Sequence, residues 1–174
     1  MSELNRRGFL AGAAAGVATI SSTRLQAQSK KAGANERVRV GVIGAGGRAL
    51  SLNRSFAENA NAEIVTIADL DPRRLPRAVE EVYRRQGTKP KTTNDFRHLI
   101  DDNSLDAIVV GTPDHWHAIP SIMAMIAGKD VYVEKPDSHN IVEGMRMVAA
   151  LKKHKRVCQM GSQHRSTKRM QTAL

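Results

Sequence analysis

The segment GAGGRA, residues 44–49, has the composition and spacing of a turn that binds phosphate groups. It fits the pattern G-x-G-x-x-G/A and follows a short apolar run that is typical of a strand buried on both faces. Gly44 permits a sharp turn, Gly46 lets a pyrophosphate approach the backbone, and Ala49 lets the next helix pack close to the strand. The N–H groups at the start of that helix attract anions. The sequence therefore predicts a dinucleotide-binding turn made by these residues: Gly44, Ala45, Gly46, Gly47 and Arg48.

An acidic residue ends the next apolar run, EIVTIA at residues 63–68. Asp69 follows Gly44 by about 25 residues, near the spacing at which an acid binds the ribose hydroxyls of NAD. A carboxylate repels the 2′-phosphate of NADP, whereas Arg73 and Arg74 could attract it. The sequence thus favours NAD as the cofactor and leaves NADP as the alternative.

A polar cluster, TPDHWH at residues 112–117, follows a third apolar run. Histidine and aspartate ligate zinc and iron, but no other Cys, His or carboxylate has ligand spacing to this cluster, so we predict no metal site. We interpret the cluster as a loop over the nicotinamide half of the cofactor. Its predicted cofactor contacts are Thr112, Pro113, His115 and His117.

These clusters need a scaffold that brings them together, and the chain alternates apolar strand and helix patterns six times. Asp71 and Pro72 could start the second helix, although Pro76 favours a start one turn later. Asn140 with Glu143 resembles a capping box. The pattern predicts an α/β fold, a Rossmann-type doubly wound parallel sheet, in which ligands bind at the carboxyl ends of the strands.

The N-terminal segment reads RRGFL from Arg6 to Leu10 and continues in a mildly apolar run to Ile20. This order resembles a Tat export signal, and the run is too short to span a bilayer. An N-terminal helix is the alternative. We predict a Tat-type signal peptide over residues 1–27, a linker over residues 28–35, and export to the periplasm.

The formal net charge of +10 is concentrated towards the end of the 174-residue chain. Residues 151–174 contain seven Lys or Arg and no Asp or Glu. A basic tail can bind nucleic acid, but no nucleic-acid motif accompanies it, so we predict no nucleic-acid partner. The single cysteine, Cys158, cannot form a disulfide within the chain.

Four features in order, GVIGAGGRA, Asp69, TPDHWH and GKDVYVEKP, make the sequence similar to the glucose–fructose oxidoreductase / inositol dehydrogenase / MocA (Gfo/Idh/MocA) family. The resemblance covers about residues 37–165, and EKP at residues 134–136 is its most specific part. It implies an NAD(P)-dependent oxidoreductase. In that family Lys135 would serve as acid and base for the substrate hydroxyl, Glu134 would lie by the nicotinamide, and Gln163 would sit near the mouth of the site.

The sequence departs from the family pattern at Asp114, where Asn is usual, and at Asp137, where an apolar residue is common. The family also carries a second α/β domain with substrate contacts and the oligomer interface. We expect a Rossmann domain over residues 36–161 and the start of that second domain over residues 162–174, so that the chain is a fragment or a truncated product. A homo-oligomer would require the second domain.

The predicted function is hydride transfer between nicotinamide and a hydroxyl-bearing carbon of a small sugar or polyol. We predict no membrane span. One alternative is an NAD-dependent glycosidase of the same family, an exception to the scheme of two carboxylates. Another is a dinucleotide-binding module without catalysis, because the chain is short.

Overall fold

The fold is built from short strands that alternate with helices, and the computed structural model describes it over residues 36–163 and Thr172. The predicted signal peptide and linker lie outside the described residues, as do residues 164–171 and 173–174. The elements in chain order are β1 (Val38–Ile43), α1 (Gly47–Glu58), β2 (Ala62–Ala68), α2 (Leu75–Gln86), β3 (Lys91–Thr93), α3 (Arg97–Asp101), β4 (Ala107–Val110), a 3-10 turn (Asp114–Trp116), α4 (Ala118–Ile126), β5 (Asp130–Val133), α5 (Ile141–His154) and β6 (Cys158–Met160).

The six strands form one parallel sheet in the order β3-β2-β1-β4-β5-β6. Strands β1, β2 and β3 lie side by side in chain order, and the chain then crosses back so that β4 pairs with the other side of β1. This reversal is the topological switch point of a Rossmann fold, beside which ligands bind. The predicted fold class is therefore confirmed.

Two apolar cores cover the two faces of the sheet because successive strand side chains point in opposite directions. Val42 and Val109 pack with α1 and α2, whereas Ile43 and Val110 pack with α3, α4 and α5. Each of these four side chains is at most 5% exposed. Burying a side chain of this size contributes about 1.5–3 kcal/mol, so both faces hold the strand ends in fixed positions.

Local signals set most helix boundaries as expected. Helix α2 begins at Leu75 with Pro76 in its first turn, so the later of the two predicted starts is correct. Asn140 caps α5 by accepting a hydrogen bond from the backbone N–H of Glu143 at 3.0 Å. The Glu143 carboxylate accepts from the N–H of His139 rather than from that of Asn140, a shifted form of the capping box.

Helix α1 ends at Glu58, directly before Asn59 and Ala60. Asn59 adopts an extended conformation and its side chain accepts a hydrogen bond from the N–H of Asn61, which competes with continued helix. Within the described part of the chain, no helix is long and apolar enough to cross a bilayer.

Candidate functional site

The register of the sheet brings the ends of β1, β2, β4 and β5 to one edge. Ile43 pairs with Ala68 on one side and with Val110 on the other, and Val110 pairs with Val133. The residues that follow these strand ends therefore converge at the switch point. They include the glycine-rich turn, Asp69, Gly111 and Glu134.

The glycine-rich turn is wedged between the ends of β2 and β4. Gly44 has φ of +110°, a conformation that L side chains rarely adopt. A Cβ on Gly44 would lie 2.9 Å from the carbonyl oxygen of Gly111, and a Cβ on Gly111 would lie 2.9 Å from the Cβ of Ala49. The chain can therefore pass from β1 into α1 only with glycine at both strand ends and a small residue at position 49.

The N-terminus of α1 opens into the cleft without a capping side chain. Gly46 is the N-cap, no side chain bonds to the first turn of the helix, and that turn contains no acidic residue. A Cβ on Gly47 would have no neighbour within 4 Å. The first turn of α1 is thus left without a side-chain cap and with open space beside Gly47, as binding of an anion requires.

Asp69 couples the glycine-rich turn to the loop after β2. Its Oδ2 accepts a hydrogen bond from the N–H of Ala45 at 2.7 Å, and its Oδ1 accepts one from the N–H of Asp71 at 2.8 Å. Each carboxylate oxygen can accept a further bond, so the group remains able to receive ribose hydroxyls. Asp69 lines the same cleft as the glycine-rich turn.

Two neighbouring arginines near Asp69 take different positions. Arg73 is 88% exposed and its guanidinium is bidentate on Asp71, with distances of 2.8 and 3.0 Å. This bond lowers the pKa of Asp71 to about 2. Arg74 lies 3.5 Å from Asp71 through its Nε and also lines the cleft, where its Nη1 would lie 2.9 Å from a Cβ on Gly46. Of the two arginines, Arg74 is therefore the one that borders the glycine-rich turn.

The cleft has a volume of about 1050 Å³ and runs from the glycine-rich turn to the segment after β4. One wall is aromatic, because the rings of Phe96 and Trp116 make an edge contact with centroids 6.4 Å apart. Thr112 and Pro113 line the cleft between this wall and Gly44. A cavity of this size, mostly apolar with a few polar groups, suits a small ligand or cofactor.

The two histidines predicted to contact the cofactor differ in burial. His117 is 2% exposed, its Nε2 lies 2.7 Å from the carbonyl oxygen of Thr112, and its Nδ1 contacts that of Pro136. It thereby ties the segment after β4 to the segment after β5, and it does not line the cleft. His115 is exposed beside Asp114, whose pKa is lowered by a hydrogen bond from the His115 N–H.

The residues of the EKP segment also point in different directions. Glu134 is 3% exposed, and its Oε1 lies 2.7 Å from Nη2 of Arg48. Lys135 is exposed, and within the described residues its ammonium has no hydrogen-bond or ion-pair partner. Gln163 is half-buried, and its Oε1 has no hydrogen-bond partner in the described region. The cofactor contacts assigned to these three residues remain predictions.

Sequence reasoning missed several residues that shape this site. Phe96 and Gly111 carry no motif, although Gly111 follows a buried strand directly and glycine there is a usable signal. Tyr132 and Gly161 also gave no signal, since their importance depends on the neighbouring strand. No three His, Cys, Asp or Glu side chains gather as a metal site within residues 36–163.

The fold and this cleft define a dinucleotide-binding Rossmann domain. A family model for the Gfo/Idh/MocA family, described as "Oxidoreductase family, NAD-binding Rossmann fold", matches residues 38–162. The chain therefore belongs to the Gfo/Idh/MocA family, and the family resemblance of its sequence motifs is confirmed.

Relatives of known structure include myo-inositol 2-dehydrogenase from Lactobacillus plantarum, with a TM-score of 0.69 and 26% identity over 79% of this chain and 40% of that one. The WlbA dehydrogenase from Chromobacterium violaceum, in complex with NADH and UDP-GlcNAcA, has a TM-score of 0.68 and 25% identity, covering 79% of this chain and 38% of that one.

Among sequence relatives, "Glycosyl hydrolase family 109 protein 1" from Shewanella sp. (strain ANA-3) is 33% identical over 129 residues, which are 72% of this chain and 28% of that protein. The chain thus spans less than a third of this relative and about two fifths of the structures compared.

Proposed function

We propose that this chain binds NAD in the cleft at the switch point, with NADP as the weaker ligand. One observation carries the proposal: the Gly44 turn, the uncapped start of α1 and the Asp69 carboxylate all border a single cavity. These groups match what a pyrophosphate and an adenosine ribose require.

The residues present fit the cofactor by shape as well as by charge. Gly46 places no side chain in the path of a pyrophosphate, and the guanidinium of Arg74, which lies 3.5 Å from Asp71, is beside it. Asp69 would accept hydrogen bonds from the ribose hydroxyls. The bound nicotinamide would supply the hydride chemistry, and the protein's part is to orient it and to exclude water.

We further propose that the domain serves an enzyme that moves hydride between nicotinamide and a hydroxyl-bearing carbon of a sugar or cyclitol. Relatives of known structure named as a dehydrogenase and an inositol dehydrogenase support this class. Lys135 would exchange the proton of the substrate hydroxyl, since it is exposed at the end of β5 and free of partners within the described residues.

A second candidate is NAD-dependent glycoside cleavage. It is favoured by the sequence relatives named for glycosyl hydrolase family 109, and by one from Shewanella oneidensis named alpha-N-acetylgalactosaminidase at 32% identity. Product analysis on aryl glycosides separates the candidates, because only the glycosidase releases the aryl group without net reduction of NAD.

Export and self-association belong to the proposal as well. The Arg6-Arg7 pair with its following apolar run supports Tat-dependent export to the periplasm. Replacing both arginines by lysine should keep a reporter fusion in the cytoplasm, and unchanged export would contradict this. Self-association rests on the family resemblance, and light scattering on the protein with its second domain would test it.

Calorimetry with NAD and NADP tests the binding proposal. We expect tighter binding of NAD and a loss of about 10–100-fold in NAD affinity for Asp69→Ala, the cost of a charge-assisted hydrogen bond. Asp69→Asn keeps an acceptor oxygen for only one of the two backbone N–H groups, those of Ala45 and Asp71, and removes the negative charge, so comparing it with Asp69→Ala separates loss of the charge from loss of the whole side chain. Arg73→Met is the matched control for Arg74→Met, because only Arg74 lines the cleft. Equal affinities for the two cofactors would contradict the assignment of Asp69.

A further inference from the structure

A second polar cluster lies where α1, β5 and the end of β6 meet, and it consists of Arg48, Tyr132, Glu134 and Gly161. We propose that Arg48 and Glu134 are positioning residues, whose ion pair fixes the Lys135 segment against the first turn of α1. The pair would hold the phosphate-binding and nicotinamide ends of the site in one arrangement. This inference rests on the proposed function of the cleft.

The pleat of β5 directs Glu134 away from Lys135. Val131 and Val133 pack on the face of α4 and α5, whereas Tyr132 packs on the face of α1 and α2. Alternation then places Glu134 on the α1 face as well. The Glu134 carboxylate is buried there, and its Oε2 accepts a hydrogen bond from the N–H of Lys135 at 3.3 Å. One side chain thus contacts both Arg48 and the Lys135 backbone.

The position of Arg48 makes it the natural partner. It lies in the first turn of α1, at the edge of the cleft, with 37% of its side chain exposed. The Arg48 and Glu134 atoms are 2.7 Å apart but are not aligned as a hydrogen bond, so we treat the contact as an ion pair. The contact with Glu134 raises the pKa of Arg48. Removing Arg48 would leave the buried Glu134 carboxylate without its ion-pair partner, which is costly.

Gly161 closes the cluster from the side of β6. Its N–H donates to the carbonyl of Val133 at 2.7 Å, which holds it against the end of β5. A Cβ at this position would lie 2.5 Å from the Tyr132 hydroxyl and 2.8 Å from Oε1 of Glu134. The Tyr132 hydroxyl and the Glu134 carboxylate therefore occupy the space that a side chain at position 161 would need, and Gly161→Ala would displace them without changing any charge.

Tyr132 provides a spectroscopic signal for the pair. Burial raises the pKa of its phenol, the Glu134 charge raises it further, and the Arg48 guanidinium lowers it. The chain has two tyrosines, so Tyr83→Phe leaves Tyr132 as the single phenol in an absorbance titration. In that background Arg48→Met should move the titration to higher pH and Glu134→Gln to lower pH. Arg54 lies on α1, as Arg48 does, but pairs with Glu81 of α2. Arg54→Met should therefore leave the Tyr132 titration unchanged.

The binding test compares NADH with ADP-ribose, which lacks the nicotinamide, on the 174-residue chain. We expect Arg48→Met, Glu134→Gln and the double variant each to lose about tenfold in NADH affinity, because all three remove the same ion pair. Binding of ADP-ribose should stay within about twofold. Arg48→Lys, which keeps the charge, should recover part of the loss. Arg54→Met is again the control.

Several results would overturn the positioning role. Unchanged NADH affinity in Glu134→Gln would do so, and so would losses that add up in the double variant. An equal loss of ADP-ribose affinity in Arg48→Met would make Arg48 a phosphate contact instead. If a variant does not fold, Gly161→Ala carries the test: it should lower NADH affinity and leave ADP-ribose affinity within about twofold, and unchanged NADH affinity would overturn the positioning role. A chain that binds neither ligand before any substitution would contradict the proposed function rather than the ion pair.

Discussion

The two ends of the parallel sheet use the same kinds of residues for different purposes. At the amino ends of the strands, the Lys129 ammonium is buried and donates to the carbonyl oxygens of Asp102 and Leu105, at 2.6 and 3.1 Å. At the carboxyl ends, Lys135 is exposed and without a partner in the described part of the chain. Both lysines come from the single segment GKDVYVEKP.

Polar groups at the amino ends are satisfied by one another. The N–H of Arg39 donates to the carboxylate of Asp106 at 2.7 Å, and the N–H of Val157 donates to that of Asp130 at 2.9 Å. The carboxyl ends instead keep uncapped N–H groups at α1 and the exposed ammonium of Lys135, which has no partner within the described residues. Polar groups that are hydrogen-bonded within the protein stabilise a fold, whereas polar groups without a partner can bind a ligand. The amino ends of the strands therefore contribute stability, and the carboxyl ends provide the candidate site.

The largest expected effect concerns the two lysines. Lys129→Met should reduce the free energy of unfolding by about 3–5 kcal/mol, because two charge-assisted hydrogen bonds are lost and two carbonyls are orphaned. Lys135→Met should change it by less than about 0.5 kcal/mol, as is usual for an exposed side chain. Urea unfolding of both variants measures this difference. A larger loss for Lys135→Met than for Lys129→Met would reverse the comparison.

The next effect separates two glycines of the same turn. Gly44→Ala should reduce stability by about 2–4 kcal/mol and weaken NAD binding, since it combines positive φ with a contact of 2.9 Å to the Gly111 backbone. Gly47→Ala is the matched control, because no atom lies within 4 Å of its Cβ position. Thermal melts and NAD titrations of both variants provide the measurement. Equal melting temperatures and equal NAD affinities of the two variants would mean that the turn tolerates a Cβ at Gly44.

The sequence indicated the positions of the glycine-rich turn and of Asp69 more closely than the arrangement of the residues after β5, and the reason is geometric. Gly44 and Asp69 act through backbone conformation and through a position at a strand end, which spacing alone encodes. Glu134 and His117 act through the directions of their side chains, which depend on the pleat of β5 and on the neighbouring segment. No pattern predicted that Lys129 is buried, because its partners, the carbonyl oxygens of Asp102 and Leu105, lie more than 20 residues away in the chain.

The smallest expected effect is a pH dependence at the edge of the cleft. Asp95 binds the Arg97 guanidinium, which lowers its pKa from 3.8 to about 2. This contribution to stability is present above pH 3.8 and is lost as the pH falls through about 2. Asp95→Asn should therefore lose slightly less thermal stability than the parent between pH 4 and pH 2. Identical acid profiles would show that this exposed pair adds nothing.

The central claim is that the carboxyl-end cleft holds the dinucleotide, and the single tryptophan tests it directly. Trp116 is 42% exposed, lines the cleft and is the only Trp in the sequence. NADH absorbs where tryptophan emits, so titration with NADH should quench Trp116 fluorescence in a saturable manner, and excess NAD or ADP-ribose should reverse the quenching. Gly44→Ala should shift the quenching to higher NADH concentrations, and Gly47→Ala should leave it unchanged. A linear decrease without saturation, or quenching that NAD does not reverse, would contradict the claim.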